Sequence, residues 1–196
     1  MRVLVIDELA EDLEERASIL RDGLARAGHE VVASLSSPLE LLRAVERLQP
    51  DVIVIDTESP TRDVLEHLVI ISQSSPRPIV MFASDSGGDA IRDAVRAGVS
   101  AYVVDGMDAG RVNSIVQVAC AQFNDHQRLK VELAEANLKL SERKLIERAK
   151  GLLMHSRGIT EDEAYHALRK LAMSKKLRLG DVAQQLIDSA ELLHKG

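Results

Sequence analysis

Five short apolar runs in the first half of the chain constrain its fold most strongly. They are rich in β-branched residues, as is typical of strands buried on both faces of a sheet. Amphipathic segments with helical spacing separate them, and this alternation predicts a doubly wound, five-stranded parallel sheet, a flavodoxin-like α/β unit of about 120 residues. The predicted strands are Val3–Ile6, Val31–Leu35, Val52–Ile55, Ile79–Phe82 and Ala101–Val104.

The segment that follows the last run predicts one long helix. Between residues 109 and 156 the sequence has no proline and only two glycines. An exposed helix of about 40 residues is not stable alone, so we predict that it pairs with a second copy as a coiled coil in a homodimer. The alternative is that the helix packs back on its own domain. The predicted a and d positions of the coiled coil are Leu129, Leu133, Ala136 and Leu140.

The charges of the chain divide unevenly between its two parts. Residues 1–125 contain 11 basic and 21 acidic residues, a net charge of −10, whereas residues 126–196 contain 14 basic and 10 acidic residues, a net charge of +4. This division predicts domains with different partners, of which only the basic one is suited to nucleic acid. We expect an α/β domain over 1–122, a coiled-coil linker helix over 123–140 and an all-α domain of three helices over 141–196.

The sequence carries no signal for a membrane or an export pathway. It has no apolar run of 18 residues, and the apolar start of the chain is short and soon acidic. The single cysteine, Cys120, cannot form a disulfide within the chain. These features predict a cytoplasmic protein that makes no membrane contact.

Three carboxylates stand at predicted strand ends. Asp7 and Glu8 end the first strand, and Asp56 ends the third. Functional groups gather at the carboxyl ends of strands in parallel sheets. The cluster could hold Mg²⁺, which prefers oxygen ligands, and Asp56 could then accept a phosphoryl group. The alternative is a polar rim without chemistry.

Residues 1–120 resemble the receiver domain of response regulators. The matching segments are VLVIDE at 3–8, DVIVID at 51–56, PIVMFAS at 78–84 and AVRAGVSAYVV at 94–104. The resemblance implies that Asp7 and Glu8 bind Mg²⁺ and that Asp56 is the phosphoacceptor.

The resemblance fails at the positions that read a phosphoryl group. Ala83 stands where receivers carry Thr or Ser, with Ser84 one residue later, and Asp105 stands where they carry a lysine. A like charge at about 6 Å costs roughly 3 kcal/mol at an effective dielectric constant near 20, so we expect phosphorylation of Asp56 to be disfavoured. Tyr102 lies near the position of the family's switching aromatic; otherwise it is a half-buried strand residue.

The tail of the chain carries a dense basic segment. From 143 to 178 there are ten basic and four acidic residues, a net charge of +6. Tyr165 lies four residues before Arg169, so both can share a helix face on which an unpaired base could stack. The alternative is a solvated helix face. The candidate RNA-binding residues are Arg143, Lys144, Arg148, Lys150, Arg157, Tyr165, Arg169, Lys170, Lys175, Lys176 and Arg178.

The pattern of the tail also predicts its helices. Thr160 and Glu163 have the spacing of a capping box, which places a helix start there. We expect apolar residues of this region to form a core rather than to contact a ligand. The core candidates are Ala149, Ala164, Leu168, Ala172 and Met173.

Residues 141–193 resemble the ANTAR domain, which is named from the AmiR and NasT antitermination regulators. The matching segments are IERAKGLLM at 146–154, GITEDEAYHALRKLAM at 158–173 and LGDVAQQLI at 179–187. The whole chain is most similar to the NasT branch. The resemblance implies a non-enzymatic regulator that binds paired hairpins in nascent leader RNA and prevents terminator formation. It also implies genes of nitrate or nitrite assimilation and a nitrate- or nitrite-sensing partner protein.

Three other functions remain open from the sequence. The first is a phosphorylation-activated antiterminator of the same architecture, the second a DNA-binding response regulator, and the third a protein-interaction scaffold.

The RNA-binding function carries a prediction of its own. If Lys150 contacts a phosphate, Lys150→Ala is expected to reduce the slope of the logarithm of the binding constant against the logarithm of the salt concentration by about 0.7.

Overall fold

The predicted strands form one parallel sheet in the computed structural model, which describes residues 1–7, 14–105 and 108–194. The spatial order is β2-β1-β3-β4-β5, and all neighbouring pairs are parallel. This confirms the predicted flavodoxin-like sheet. The strands are β1 (Arg2–Asp7), β2 (Glu30–Leu35), β3 (Val52–Thr57), β4 (Ile79–Ala83) and β5 (Ala101–Val104).

Seven α-helices are found in the described part of the chain, and a short 3₁₀ turn precedes the second. The long helix predicted from the absence of proline is confirmed as α5, which has 49 residues. The helices are α1 (Glu14–Arg26), α2 (Leu41–Leu48), α3 (Arg62–Ser74), α4 (Gly88–Ala97), α5 (Ala109–Arg157), α6 (Glu161–Lys175) and α7 (Leu179–His194).

The chain divides into two compact units, Met1–Gln127 and Arg128–Gly196, and the division falls within α5. The predicted domain boundaries after residues 122 and 140 stay predictions. None of the described helices is long and apolar enough to cross a membrane.

The sheet of the first unit is covered on both faces. Side chains alternate along β1, so Val3 and Val5 face one layer while Leu4 and Ile6 face the other. Helices α1 and α5 cover the first face, and α2, α3 and α4 cover the second. Because β3 is buried along its whole length, its sequence reads as a continuous apolar run that ends in Asp56 and Thr57.

The second unit is a small helical domain with its own core. Eight buried residues from α5, α6 and α7 form this core, and Ala149, Ala164, Leu168 and Ala172 belong to it as predicted. The prediction was wrong for Met173, which is 71% exposed although it neighbours Ala172 in sequence. A residue next to the buried stripe of a helix is turned about 100° away from it, so adjacency does not imply burial.

The predicted start of α6 is confirmed in detail. The Thr160 hydroxyl accepts a hydrogen bond from the backbone N–H of Glu163, and a Glu163 carboxylate oxygen accepts one from the backbone N–H of Thr160 at 2.9 Å. Both bonds of the capping box are therefore present, and they satisfy donors that the helix itself leaves without partners.

Candidate functional site

The carboxyl ends of β1 and β3 bring two of the predicted carboxylates together. Asp7 and Asp56 are direct partners in the register of the two strands. Asp56 is completely buried, whereas Asp7 is half-buried. The third predicted carboxylate, Glu8, lies outside the described residues. The pocket formed by these strand ends is called the Asp56 pocket below.

An arginine from α1 fills the Asp56 pocket. Nη2 of Arg16 lies 2.6 Å from Oδ1 of Asp56, and Nε of Arg16 lies 3.3 Å from Oδ2. The third guanidinium nitrogen, Nη1, donates a hydrogen bond of 3.3 Å to the hydroxyl of Ser84. The guanidinium therefore makes a two-point contact with the Asp56 carboxylate, and it also binds the Ser84 hydroxyl just after β4.

The charges in the Asp56 pocket act on one another strongly. Burial raises the pKa of Asp56, whereas the hydrogen bond and the charge of Arg16 lower it. The bond to Asp56 raises the pKa of Arg16, and the negative charges of Asp105 and Asp7 raise it further. Arg16 therefore stays charged and compensates a group of three carboxylates.

The residues that depart from the receiver pattern lie around this contact. Ala83 is buried at the end of β4, and the next residue, Ser84, supplies the hydroxyl that Arg16 binds. Asp105 is exposed and has a left-handed backbone with φ of 50°, and its N–H donates to the carbonyl of Ala83 at 3.1 Å. Ala83 pairs with Thr57 in the register of β4 and β3, and Asp105 is bonded to Ala83, so both positions that depart from the receiver pattern lie near the end of β3.

Tyr102 is anchored within the first unit. Its hydroxyl donates a 2.9 Å hydrogen bond to the carbonyl of Asp85, and its ring packs against the core on the α2–α4 face of the sheet. Burial raises the pKa of Tyr102 above its ordinary value. The residue is half-buried, and its hydrogen bond ties β5 to the loop that follows β4.

The described residues of the Asp56 pocket do not fit a divalent cation. Both oxygens of Asp56 face Arg16, and no group of three or more His, Cys, Asp or Glu residues in the described ranges could hold a metal ion. One observation favours a bound cation: Oδ1 of Asp7 is buried and accepts no hydrogen bond from any described residue.

Arg16 was not among the site residues predicted from the sequence. The contact joins residues 40 positions apart, and no motif connects them. A weak signal existed in the helix spacing, because Arg16 lies one turn before Leu20 and two before Leu24, which are buried against the sheet. A cation at the end of such a stripe faces the sheet edge where the strands end.

The predicted basic residues of the second unit form an exposed surface. Nine of the ten predicted cations between 143 and 178 are exposed. One of them, Arg148, forms a 2.6 Å ion pair with Glu191 of α7, and both side chains are more than half exposed. Tyr165 is 40% exposed, and Arg169 of the same helix is exposed as well. These residues are available to an anionic partner.

Lys150 is the exception, because its position disfavours the RNA contact predicted for it, which stays untested. Its side chain is only 9% exposed, and its ammonium lies 2.8 Å from Glu147 and 2.6 Å from Glu161. These bonds raise the pKa of Lys150 and connect α5 to the first turn of α6. The lysine therefore stabilises the helix packing, which a count of charges along the sequence could not reveal.

Replacing Lys150 by alanine is expected to lower the melting temperature of the protein while leaving the salt dependence of RNA binding unchanged. The substitution removes the bridge between Glu147 and Glu161 and the buried stem of the lysine, but no exposed cation. Thermal unfolding followed by circular dichroism, together with RNA titrations at several salt concentrations, measures both effects. A reduced salt slope at unchanged stability would contradict this prediction.

A groove with an apolar floor and a basic rim opens on the second unit. Its volume is about 400 Å³. The floor includes leucines from all three helices, and the rim includes one cation from the end of α5 and one from α6. Apolar surface beside positive charge is chemically suited to a nucleobase and its phosphate. The residues concerned are Leu153, Leu168, Leu171, Leu186, Arg157 and Lys170.

The predicted coiled-coil positions are exposed on α5. Leu129, Leu133 and Leu140 are 57%, 63% and 52% exposed, and Ala136 is exposed too. This exposure favours the coiled coil over the alternative that the helix packs back on its own domain, and both stay predictions. The apolar stripe is available to another molecule.

Comparison with known protein families assigns both units. The family described as "Response regulator receiver domain" matches residues 3–117, and the family described as "ANTAR domain" matches residues 134–187. The matching solved structures include a signal receiver domain of a modulated diguanylate cyclase from Desulfovibrio desulfuricans G20. It has a TM-score of 0.54 and 20% identity and covers 64% of this chain and 97% of that one, which supports the fold alone.

Two curated relatives are regulators by name. The transcriptional regulatory protein PdtaR of Mycobacterium tuberculosis is 29% identical over 188 residues, which are 96% of this chain and 90% of that protein. The nitrate regulatory protein of Klebsiella oxytoca is 44% identical over 66 residues, which are 34% of this chain and 17% of that protein. The matched families are regulatory rather than catalytic. The chain thus belongs to the response regulators, and it joins a receiver domain to an ANTAR domain.

Proposed function

We propose that this protein is an antitermination regulator that binds paired hairpins of nascent leader RNA through its ANTAR domain. The observation that carries the proposal is the exposed basic surface within the residues that match the ANTAR family. Phosphate contacts supply most of the affinity of such a surface, and unpaired bases supply its selectivity.

The groove of the second unit is the proposed place for an unpaired base. Leu153, Leu168 and Leu171 offer an apolar floor, while Arg157 and Lys170 lie where phosphate groups beside the base could be bound. A base in a duplex is stacked and paired, so it cannot enter such a groove. This arrangement favours hairpin loops over double-stranded nucleic acid.

Tyr165 and Arg169 offer a second place for a base. Both are exposed on α6, on the other side of the helix's buried stripe from Lys170 and Leu171. A base could stack on the tyrosine ring or on the guanidinium plane. Tyr165→Ala and Leu171→Ala therefore distinguish the two faces, because each removes the apolar surface of one face only.

The helix α5 is proposed to join two copies of the chain. Its exposed leucines would pair in a coiled coil and place two ANTAR domains on one RNA. Linking two binding domains makes the second binding event intramolecular, which raises the overall affinity for an RNA with two hairpins.

The receiver domain is proposed to control the protein as a docking surface. A sensor protein that binds the receiver would hold the regulator away from RNA, and the signal would shift this equilibrium. The similarity to the nitrate regulatory protein covers 17% of that protein, and it motivates nitrate or nitrite as the signal and assimilation genes as the target.

Gel-shift titration with the full chain tests the proposed function. The ligands are a leader RNA with two six-base-loop hairpins, the same RNA with its loops closed by complementary strands, and duplex DNA of the same sequence. We expect tight, salt-dependent binding to the first only. Preference for duplex DNA would support a DNA-binding regulator, and the absence of any salt-dependent binding would support a protein-interaction scaffold.

Replacing Lys170 by alanine is expected to reduce the logarithmic salt slope of RNA binding by about 0.7, because one phosphate contact to a single strand is lost. Lys170 is exposed at the rim of the groove, whereas Lys150 is buried and serves as the matched control. Titrations between low and physiological salt measure the slope. If Lys170→Ala and Lys150→Ala reduce the salt slope equally, the groove is not part of the RNA-binding surface.

A further inference from the structure

We propose that Arg16 is the resident cation of the Asp56 pocket and takes over the charge compensation that receiver domains obtain from a divalent cation and a lysine. The pocket would then hold no metal, and Asp56 would be closed to phosphoryl donors. The inference concerns the first unit alone and does not depend on RNA binding by the second.

The positive charge of Arg16 is matched by the carboxylates around it. Asp7, Asp56 and Asp105 all act on the guanidinium of Arg16. Asp105 stands where the receiver pattern has a lysine, so the pocket gained a negative charge and lost a positive one. A fixed cation beside Asp56 compensates that change without a bound ion.

The guanidinium contacts both oxygens of Asp56. Nη2 lies 2.6 Å from one oxygen and Nε lies 3.3 Å from the other, so each oxygen already accepts a hydrogen bond from a cation. Divalent cations such as Mg²⁺ require these carboxylate oxygens directly. A metal ion and the guanidinium are both cations, so they compete for the carboxylate of Asp56.

Arg16 also bonds Ser84. The guanidinium joins the end of β3 to the residue after β4, at a distance of 3.3 Å from the serine hydroxyl. It thereby connects two neighbouring strand ends at the edge where a phosphoryl group would have to enter. The side chain of Arg16 is 21% exposed and that of Asp56 is fully buried, so their ion pair is part-buried, whereas the bond to Ser84 lies at the surface.

Metal titration of the full-length protein tests this assignment. The probe is Mn²⁺, whose free and bound forms differ in electron paramagnetic resonance, with Mg²⁺ as competitor. We expect no specific binding by the wild type at millimolar Mn²⁺. Arg16→Gln is expected to bind at least about tenfold more tightly, since it frees Asp56 beside the unpartnered Oδ1 of Asp7.

The control is Arg26→Gln, which removes an exposed arginine from the last turn of the same helix and is expected to behave like the wild type. If Arg16→Gln does not fold, Arg16→Lys decides, because a lysine cannot make the two-point contact and should release one oxygen of Asp56. Millimolar Mn²⁺ binding by the wild type, or no gain in a folded Arg16 variant, would overturn the assignment. RNA binding measured on the same samples shows separately whether the proposed function holds.

Discussion

Replacing Arg16 by methionine is expected to lower the free energy of unfolding of the receiver unit by about 3 kcal/mol at neutral pH. Asp56 is completely buried, and without Arg16 its charge would have no partner among the described residues close to it. Methionine keeps most of the length and the apolar stem of the side chain, so the loss in the free energy of unfolding measures the contribution of the ion pair. Urea unfolding of the full-length protein measures the difference.

A double-mutant cycle with Asp56→Ala isolates the contact. The double variant should lose less stability than the sum of the single variants, with a coupling energy of at least about 1 kcal/mol, because removing both charges leaves no buried group unpaired. Arg26→Met, in the same helix but exposed, is the control and should change stability little. If the stability losses of the two single variants simply add in the double variant, the ion pair contributes nothing to the free energy of unfolding.

The pH dependence of the Arg16→Met variant has a defined sign. Burial raises the pKa of Asp56, and Arg16 lowers it, so removing Arg16 raises this pKa further in the folded state. A carboxyl whose folded pKa exceeds its unfolded pKa favours folding when protonated. The stability deficit of the variant should therefore shrink as the pH falls towards the raised pKa of Asp56.

Replacing Leu133 and Leu140 together by aspartate is expected to convert the proposed dimer to a monomer and to weaken the proposed binding to a two-hairpin RNA by about 10²–10⁴-fold. The two leucines belong to the exposed apolar stripe of α5. Charges at these positions would repel across a coiled coil, whereas binding to a single hairpin should change little. Sedimentation velocity and gel shifts with one-hairpin and two-hairpin RNAs measure the two effects.

The chain offers a matched control for this substitution. Val131 and Leu138 have the same spacing of seven residues and similar exposure, 57% and 63%, but lie on the other side of the helix from the predicted seam. Val131→Asp and Leu138→Asp together add the same charge to the same helix and should leave the dimer intact. A dimer in the first variant and a monomer in the control would place the interface on the opposite face.

The sheet and its strand ends could be predicted from the sequence because they depend on local patterns. Strands buried on both faces appear as apolar runs, and the fixed topology of parallel sheets brings Asp7 and Asp56 to one edge. The capping box of Thr160 and Glu163 was predictable for the same reason, since its partners lie three residues apart. Long-range side-chain partners have no such signal.

The roles of Arg16 and Lys150 show this limit. Arg16 belongs to a helix with no recognisable site motif, and its partner lies 40 residues away. Lys150 belongs to a basic segment in which every cation looks alike, and only the packing of α6 against α5 places Glu161 beside it. In both cases the charge could be read from the sequence, whereas its partner depends on tertiary structure.

A counter-charge that is part of the polypeptide has a consequence for signalling. Ions and phosphoryl groups can be added and removed, so a few enzyme molecules can convert many receivers. The guanidinium of Arg16 is present once in every chain, and neither a kinase nor a phosphatase can take it away. If a sensor controls this receiver by docking, as proposed, the response would follow the number of sensor molecules bound, and the ratio of sensor to regulator in the cell would set its strength.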